Sequence, residues 1–419
     1  MVASRQGDVG AVFAAPGDAG VLEASYDFPY LAHAAMEPMN CVIQLGPQRC
    51  EVWNGEQSHT SDQRALAALL GLAPEQVVIH SLYAGGSFGR RASTQSDYVV
   101  EAATIARASG KTVPIKLVWL REDDMQAGFY RPQFHHRLRA AVDASGNLSG
   151  WQHTLVGQSI MAGLPSARGK PVGIDHSSVE GAVNLPYTTP HRLVELHTPT
   201  DIGVPVLWWR SVGSTHNAFS TETFIDEIAA SQRRDPVEYR LAHLAQAPRH
   251  RAVLTLAAEK AGWKQTLPQR PGLRRGRGVA VHESFGSVVA QVVEVAVQPD
   301  GRYALERVVC AVDCGIAINP DNVRAQIEGS IAYALSAAKY GAITLDKGRV
   351  EQSNFHDYAS IRIDEMPAVE VFILPSTNKP SGIGEPGVPP LAPALVNALA
   401  SATGTRLYSL PIRSEALKA

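Results

Sequence analysis

Strand-like and helix-like runs follow one another along this chain without a strict strand–helix–strand order, and that irregularity constrains the fold most. Regular alternation would demand a doubly wound parallel sheet. Its absence predicts an α+β fold of mixed sheets with packed helices. The strand-like stretches are CEVWNGEQ, QVVIHSLYA, VPIKLVWL, GRGVAVHES, the long run SVVAQVVEVAVQPDGRYALERVVCAV, and AVEVFILP. HHRLRAAVDASGNLSGWQHTLVGQ reads as a hairpin turning at Ser-Gly-Asn. Helices are expected at TSDQRALAALLGL, at STQSDYVVEAATIARASG with its terminal Gly110, and as a pair split at Asp235-Pro236. A further helix, DNVRAQIEGSIAYALSAAKYG, puts Ile327, Ile331, Leu335 and Ala338 on one face, with Asp313 and Asn319 fixing the turn before it.

Residues 264–276, KQTLPQRPGLRRG, are rich in Pro, Gly and Arg and form the expected linker. The chain then divides into a flexible start at 1–20, a first lobe at 21–263 and a second lobe at 277–419. With 45% hydrophobic residues in 419, it can bury one sizeable core and has material for a second. A net charge of −2 without long runs of one sign excludes the concentrated basic face of a nucleic-acid binder. Cys41, Cys50, Cys310 and Cys314 are too sparse for a disulfide scaffold, and the last two read as small apolar residues on a buried strand. No window reaches the roughly 20 apolar residues that a bilayer span requires. The opening MVASRQGDVGAVFAAPGDAGV lacks the layout of a signal peptide and reads as the middle of something larger.

Three patterns suggest chemistry. SGIGEPGVPPLAPAL contains Gly382-x-Gly384-x-x-Gly387, formally a dinucleotide fingerprint. Seven residues separate it from the preceding strand, and Pro386, Pro389 and Pro390 remove N–H groups from the segment that should donate to phosphate. A nucleotide cradle is thereby excluded, leaving Glu385 as one acid on a stiff loop. Gly85-Gly86-Ser87-Phe88-Gly89 is a G-x-S-x-G between a strand and a helix, the setting of a nucleophile elbow. Asp226 or Asp313 with His282 or His356 could complete a serine hydrolase in chain order. The intervening RRAST and the lack of an upstream His-Gly-Gly loop weigh against it. His282-Glu283 lacks the second histidine of H-E-x-x-H, and His135-His136 point to opposite faces of a strand. Arg121-Glu122-Asp123-Asp124 reads as a solvated charged loop.

Taken together, YAGGSFGRR, LWWRSVGSTHNAFSTETFIDEIA, VVCAVDCGIAINPDNVRAQIEGS and GIGEPGVPPLAPAL resemble the molybdenum-cofactor-binding subunit of the xanthine oxidase family. Within that family the chain looks most like the large (beta) subunit of the isoquinoline 1-oxidoreductase type and its aldehyde-oxidising relatives. The resemblance implies a molybdenum hydroxylase that inserts a water-derived oxygen at an electron-poor sp2 carbon of an aldehyde or N-heterocycle. It implies Glu385 as catalytic base, and contacts to a molybdopterin cofactor, or its cytosine dinucleotide form, from Gly85, Gly86, Ser87, Phe88, Gly89, Trp209, Arg210, Gly213 and Gly384. Molybdenum would be held by the pterin dithiolene and not by side chains. Met36 stands where a family glutamine contacts the cofactor, so no role is carried to it. Arg91 and Ala92 replace the Lys-Glu of purine-oxidising members, and Val212 replaces a substrate-stacking aromatic, which makes xanthine a poor substrate. The family's M-G-Q-G segment is absent, so the chain resembles the C-terminal half of the large subunit. The implied partners are a chain supplying that segment and a [2Fe–2S] subunit, in the cytoplasm or, with a signal-bearing partner, the periplasm. A non-catalytic assembly half-subunit is the remaining alternative.

Overall fold

In the computed structural model, which describes residues 1–14, 20–163 and 173–419, the long run at 287–312 becomes two antiparallel strands, Ser287–Val297 and Tyr303–Asp313. The first is buried at every residue, as its β-branched sequence requires of a strand covered on both faces. Arg274–Ser284 pairs on one side, and Ala368–Ile373 lies parallel to Tyr303–Asp313 on the other. A five-stranded sheet runs in the order Val2–Gln6, His191–His197, Leu148–Gly157, Phe134–Val142, Val21–Phe28. A third sheet orders Val77–Ser81, Arg49–Asn54, Asn40–Gly46 and Ile115–Val118. Parallel and antiparallel pairs mix in all three, as α+β predicts.

The helix Ser214–Ser231 touches the first two sheets and the helix Leu391–Thr403, and one apolar core runs from Tyr26 and Trp151 to Val292 and Leu395. Each Val or Leu buried there contributes about 1.5–3 kcal/mol. The third sheet has its own core around Ile43, Val52 and Leu66. Gly278 matters for close approach: a Cβ there would lie 2.1 Å from Ala398 N and 2.2 Å from Ala394 O. Strand and helix therefore sit backbone to backbone, which fixes the loop that feeds into Leu391–Thr403.

Three expectations fail. Of the expected flexible start at 1–20, residues 15–19 lie outside the described residues, but Val2–Gln6 is an edge strand antiparallel to His191–His197, a pairing across nearly two hundred residues that no local pattern announces. The expected linker overlaps a strand, because Arg274, Arg275 and Gly276 already pair with Val297, Ala296 and Val295. Arg121–Ala127 is a helix, not a solvated loop. Its Asp124 is buried and accepts from Arg90 Nε at 2.7 Å, while Asp97 accepts from Arg90 Nη2 at 2.7 Å. The four cysteines are buried and free.

Alternation along Phe134–Val142 buries His136 and exposes His135. His136 contacts His153 at 3.0 Å and His216 at 3.1 Å, and all three are buried. Burial keeps these rings neutral, with His153 pulled down to about 3 and the other two well below the usual 6.5. Each therefore takes up a proton only on unfolding at pH values between its folded and free pKa. Stability should hold above pH 6.5 and fall steadily below it, and His153→Gln should flatten that slope in urea titrations at several pH values.

Candidate active site

The Gly/Pro loop does not float on the surface. Ser287 Oγ donates to Gly382 O at 2.7 Å and Gln291 Nε2 to Gly387 O at 2.8 Å, so the central strand bolts the loop at both ends. Between those anchors Glu385 is part-buried. Its Oε2 accepts the backbone N–H of Ser211 at 2.5 Å, and its carbonyl accepts Ser211 Oγ at 2.7 Å. Arg210 donates Nε to Gly384 O at 2.9 Å, and its Nη2 to Gln326 Oε1 at 2.9 Å. Burial pushes the Glu385 carboxyl above its ordinary 4.5, while the Ser211 N–H and the Arg210 charge pull it back.

The turn that receives Glu385 is strained. Ser211 has φ 74° and Val212 φ 46°, left-handed values that a non-glycine residue holds at a cost of roughly 1–3 kcal/mol each. Hydrogen bonds over-determine it: Val212 N–H donates to Trp209 O at 2.6 Å, and Gly213 N–H to Glu180 Oε1 at 2.9 Å. The glycine turn arrives from the opposite side. Arg210 N–H donates to Phe88 O at 3.0 Å, and Gly89, at φ 104°, passes so close to Trp208 that a Cβ would lie 2.3 Å from its carbonyl oxygen. The Phe88, Tyr333 and Trp209 rings stack, with centroids 4.1 Å and 4.5 Å apart.

These segments enclose a cleft of about 500 Å³, lined by Gln57, Ser87, Phe88, Gly89, Trp209, Arg210, Gln326, Gly384 and Glu385 among others. An apolar chamber of about 320 Å³ lies against it, sharing Phe88, Trp209 and Arg210 and reaching Met36 and Tyr358. Of the residues singled out from sequence, Gly85, Gly86 and Gly213 do not line the cleft. Gly85 N–H binds Glu37 at 2.5 Å, which holds the root of the glycine turn, and Gly213 packs against Ser177 and Glu180 behind the site. Gln57, Gln326 and Ser211 were not foreseen. Their signal is tertiary only, although Ser211 sits beside Arg210 and could have been suspected from that position. A larger cleft of about 700 Å³ lies elsewhere, but its Arg275, Arg277 and Arg406 are already paired with Glu306, Glu294 and Asp226.

The nucleophile-elbow reading does not survive. Ser87 Oγ donates to Gln57 Oε1 and accepts from Arg91 N–H at 3.1 Å. The proposed acids are engaged elsewhere, Asp226 with Arg240 and Arg406, Asp313 with Arg249. His282 lies against Gly181, and His356 pairs with Asp357.

A cleft walled by glycine backbone and neutral amides, with one carboxylate facing in, suits a bulky polar cofactor better than a bare ion. Two family profiles, each describing a molybdopterin cofactor-binding domain, match residues 1–244 and 226–367. The chain belongs to the xanthine oxidase family of molybdenum-cofactor-binding subunits. It is 34% identical to the beta chain of isoquinoline 1-oxidoreductase from Brevundimonas diminuta, over 98% of this chain and 52% of that one. A nicotinate dehydrogenase subunit from Pseudomonas putida is 30% identical, over 95% of this chain and 35% of that one. Thus the chain spans about half the length of the first of these relatives, 52%, and about a third of the second, 35%. Among solved structures, quinoline 2-oxidoreductase from Pseudomonas putida 86 superposes with a TM-score of 0.86 at 14% identity, covering 99% of this chain and 78% of that one. The aldehyde oxidoreductase from Desulfovibrio desulfuricans gives 0.83 at 17% identity, covering 100% and 63%. These two share the fold. Among the described residues no helix is long and apolar enough to cross a membrane.

Proposed function

We propose that this chain forms the Glu385-bearing part of the catalytic subunit of a molybdenum hydroxylase acting on an aldehyde or an N-heterocycle. The observation that carries this reading is a part-buried carboxylate, fixed by Ser211 N–H, facing a cleft built from the glycine turn and the Arg210 turn. When bound, the molybdenum–pterin group supplies a Lewis-acidic centre and a two-electron sink. The backbone of Ser87–Gly89, with Gln57 and Gln326, would hold it from two sides. Arg210 would brace the loop through Gly384 and keep the base from swinging away.

The net reaction converts C–H and water into C–OH, two protons and two electrons. Glu385 takes one of those protons. Its Oε2 is occupied by Ser211 N–H, so Oε1 is the atom that accepts it. Partial burial makes the carboxylate a stronger base than a solvated one, while the Ser211 N–H and the Arg210 charge favour its charged form. Electrons would leave to a [2Fe–2S] subunit, and a second chain would supply the M-G-Q-G segment. The names of the relatives carry both substrate classes, N-heterocycles in isoquinoline and nicotinate, and aldehydes. Co-purification with the products of neighbouring genes, followed by metal analysis, tests the reading. It predicts molybdenum in the assembly; an assembly without molybdenum would mean a non-catalytic role.

A further inference from the structure

The Arg210–Gly213 turn is held by two carboxylates, one from each side, and only Glu385 lines the cleft. The other is Glu180. Its Oε1 accepts Gly213 N–H at 2.9 Å, while Glu385 Oε2 accepts Ser211 N–H at 2.5 Å, so the two acids grip amides two residues apart on one turn. The grip of Glu180 is close and built. A Cβ on Gly213 would lie 2.0 Å from Ser177 O and 3.2 Å from Glu180 Cγ, although Gly213 has an ordinary helical φ of −67°. Glycine is needed here for proximity alone. Asn217, from the same helix that the turn begins, donates Nδ2 to Ser178 O at 3.0 Å and to Glu180 O at 2.9 Å. Asp175 caps the short helix His176–Val179 that precedes Glu180. The acid is therefore locked at the N-terminus of Ser214–Ser231, where a negative charge is favoured.

We propose that Glu180 is a positioning residue for Glu385: from behind the shared turn it fixes the Ser211 amide that Glu385 accepts, and its charge opposes a second negative charge on Glu385. The charges that act on Glu180 among the described residues are Glu385 across the turn and Asp175 from its own segment, and His282 packs against the neighbouring Gly181. Burial holds His282 neutral, down to about 3. Arg210 lies beyond, on the Glu385 side. Burial, with the charge of Glu385 adding to it, pushes Glu180 up to about 7 against the two amides that pull it down. Repulsion between two acids is mutual, so each ionises more readily when the other is neutral. Proton release by Glu385 after turnover is thereby coupled to the state of Glu180.

This rests on the reading of Glu385 as the base, but its first test does not. In the full 419-residue chain, carbon-detected NMR of labelled glutamate carboxyls follows both midpoints. Glu385→Gln should lower the Glu180 midpoint by roughly half a pH unit or more, while Glu180→Gln should leave the lower Glu385 midpoint in place, because Glu180 is already neutral where Glu385 titrates. A Glu180 midpoint that stays put when Glu385 is neutralised overturns the coupling. Should Glu180→Gln not fold, Glu385→Gln reads the same coupling from the other side. In the assembled enzyme, Glu180→Gln keeps an amide oxygen for Gly213 N–H, so the limb of Glu385 should stay while a second inflection of kcat/KM near pH 7, where Glu180 ionises beside it, disappears. A lower plateau with the inflection near pH 7 unchanged would make Glu180 merely structural and overturn the proposal. Coupled titrations in a chain whose Glu385→Gln variant still turns over would instead overturn the base role alone.

Discussion

Replacing Glu385 by Gln should lower turnover by roughly two to four orders of magnitude in the assembled enzyme, the usual worth of the positioned base proposed for it. The swap is close to isosteric. A glutamine oxygen can still accept Ser211 N–H, so the loop keeps its anchors at Ser287 and Gln291 and the cleft keeps its shape. Molybdenum content should therefore match that of the unmodified assembly, and measuring it separates loss of chemistry from loss of cofactor. The pH dependence gives a second check. Only ionised Glu385 can accept a proton, so kcat/KM rises with pH through its pKa, and that limb should lie above the ordinary 4.5 because burial raises it. Full activity of Glu385→Gln would end the proposed mechanism.

The second large effect is on stability. Arg240→Met should destabilise the chain by about 3–5 kcal/mol, seen as a lower midpoint in urea at unchanged slope. Arg240 is fully buried and donates Nε to Glu222 Oε2 at 2.9 Å and Nη2 to Glu222 O at 2.7 Å. Glu222 in turn accepts from Tyr187 Oη at 2.5 Å and from Val281 N–H at 3.0 Å. The ion pair thus joins the helix Ser214–Ser231, the helix Pro236–His243 and the strand Arg274–Ser284. Removing the cation strands a carboxylate that is only 1% exposed to solvent. Adding Glu222→Gln should recover part of the loss, because the penalty belongs to the orphaned charge. A loss below about 1 kcal/mol would show that the charge is reached by water.

Much of the fold was legible because it is local. The alternation that buries His136 and exposes His135, the helix stop at Gly71, and the Asn319 cap on Pro320–Tyr340 each depend on residues within a few positions of one another. The misreadings share one cause. Asp124 looks solvated until Arg90 arrives from another segment, and Val2–Gln6 looks loose until His191–His197 pairs with it. For the site, spacing singled out Glu385 only as an acid among glycines; the resemblance gave it a purpose. Ser211, Gln57, Gln326 and Glu180 carry no motif, because what unites them is a contact made after folding.

The Arg210 turn offers main-chain N–H groups at Arg210, Ser211 and Gly213, which are taken by the Phe88 carbonyl and the Glu385 and Glu180 carboxylates, while the Arg210 side chain holds the Gly384 carbonyl. A lattice of that kind depends on its three anchoring side chains, Glu385, Glu180 and Arg210, and on no hydrogen bond from the side chain of Val212. Val212 borders the cleft and makes its hydrogen bonds through its own backbone, and Ala92 borders it as well. Those two positions are thus free variables on a fixed frame. A substitution library confined to them would explore substrate preference while the carboxylate stays aimed, which makes this wall of the cleft the natural starting point for redesigning what the enzyme accepts.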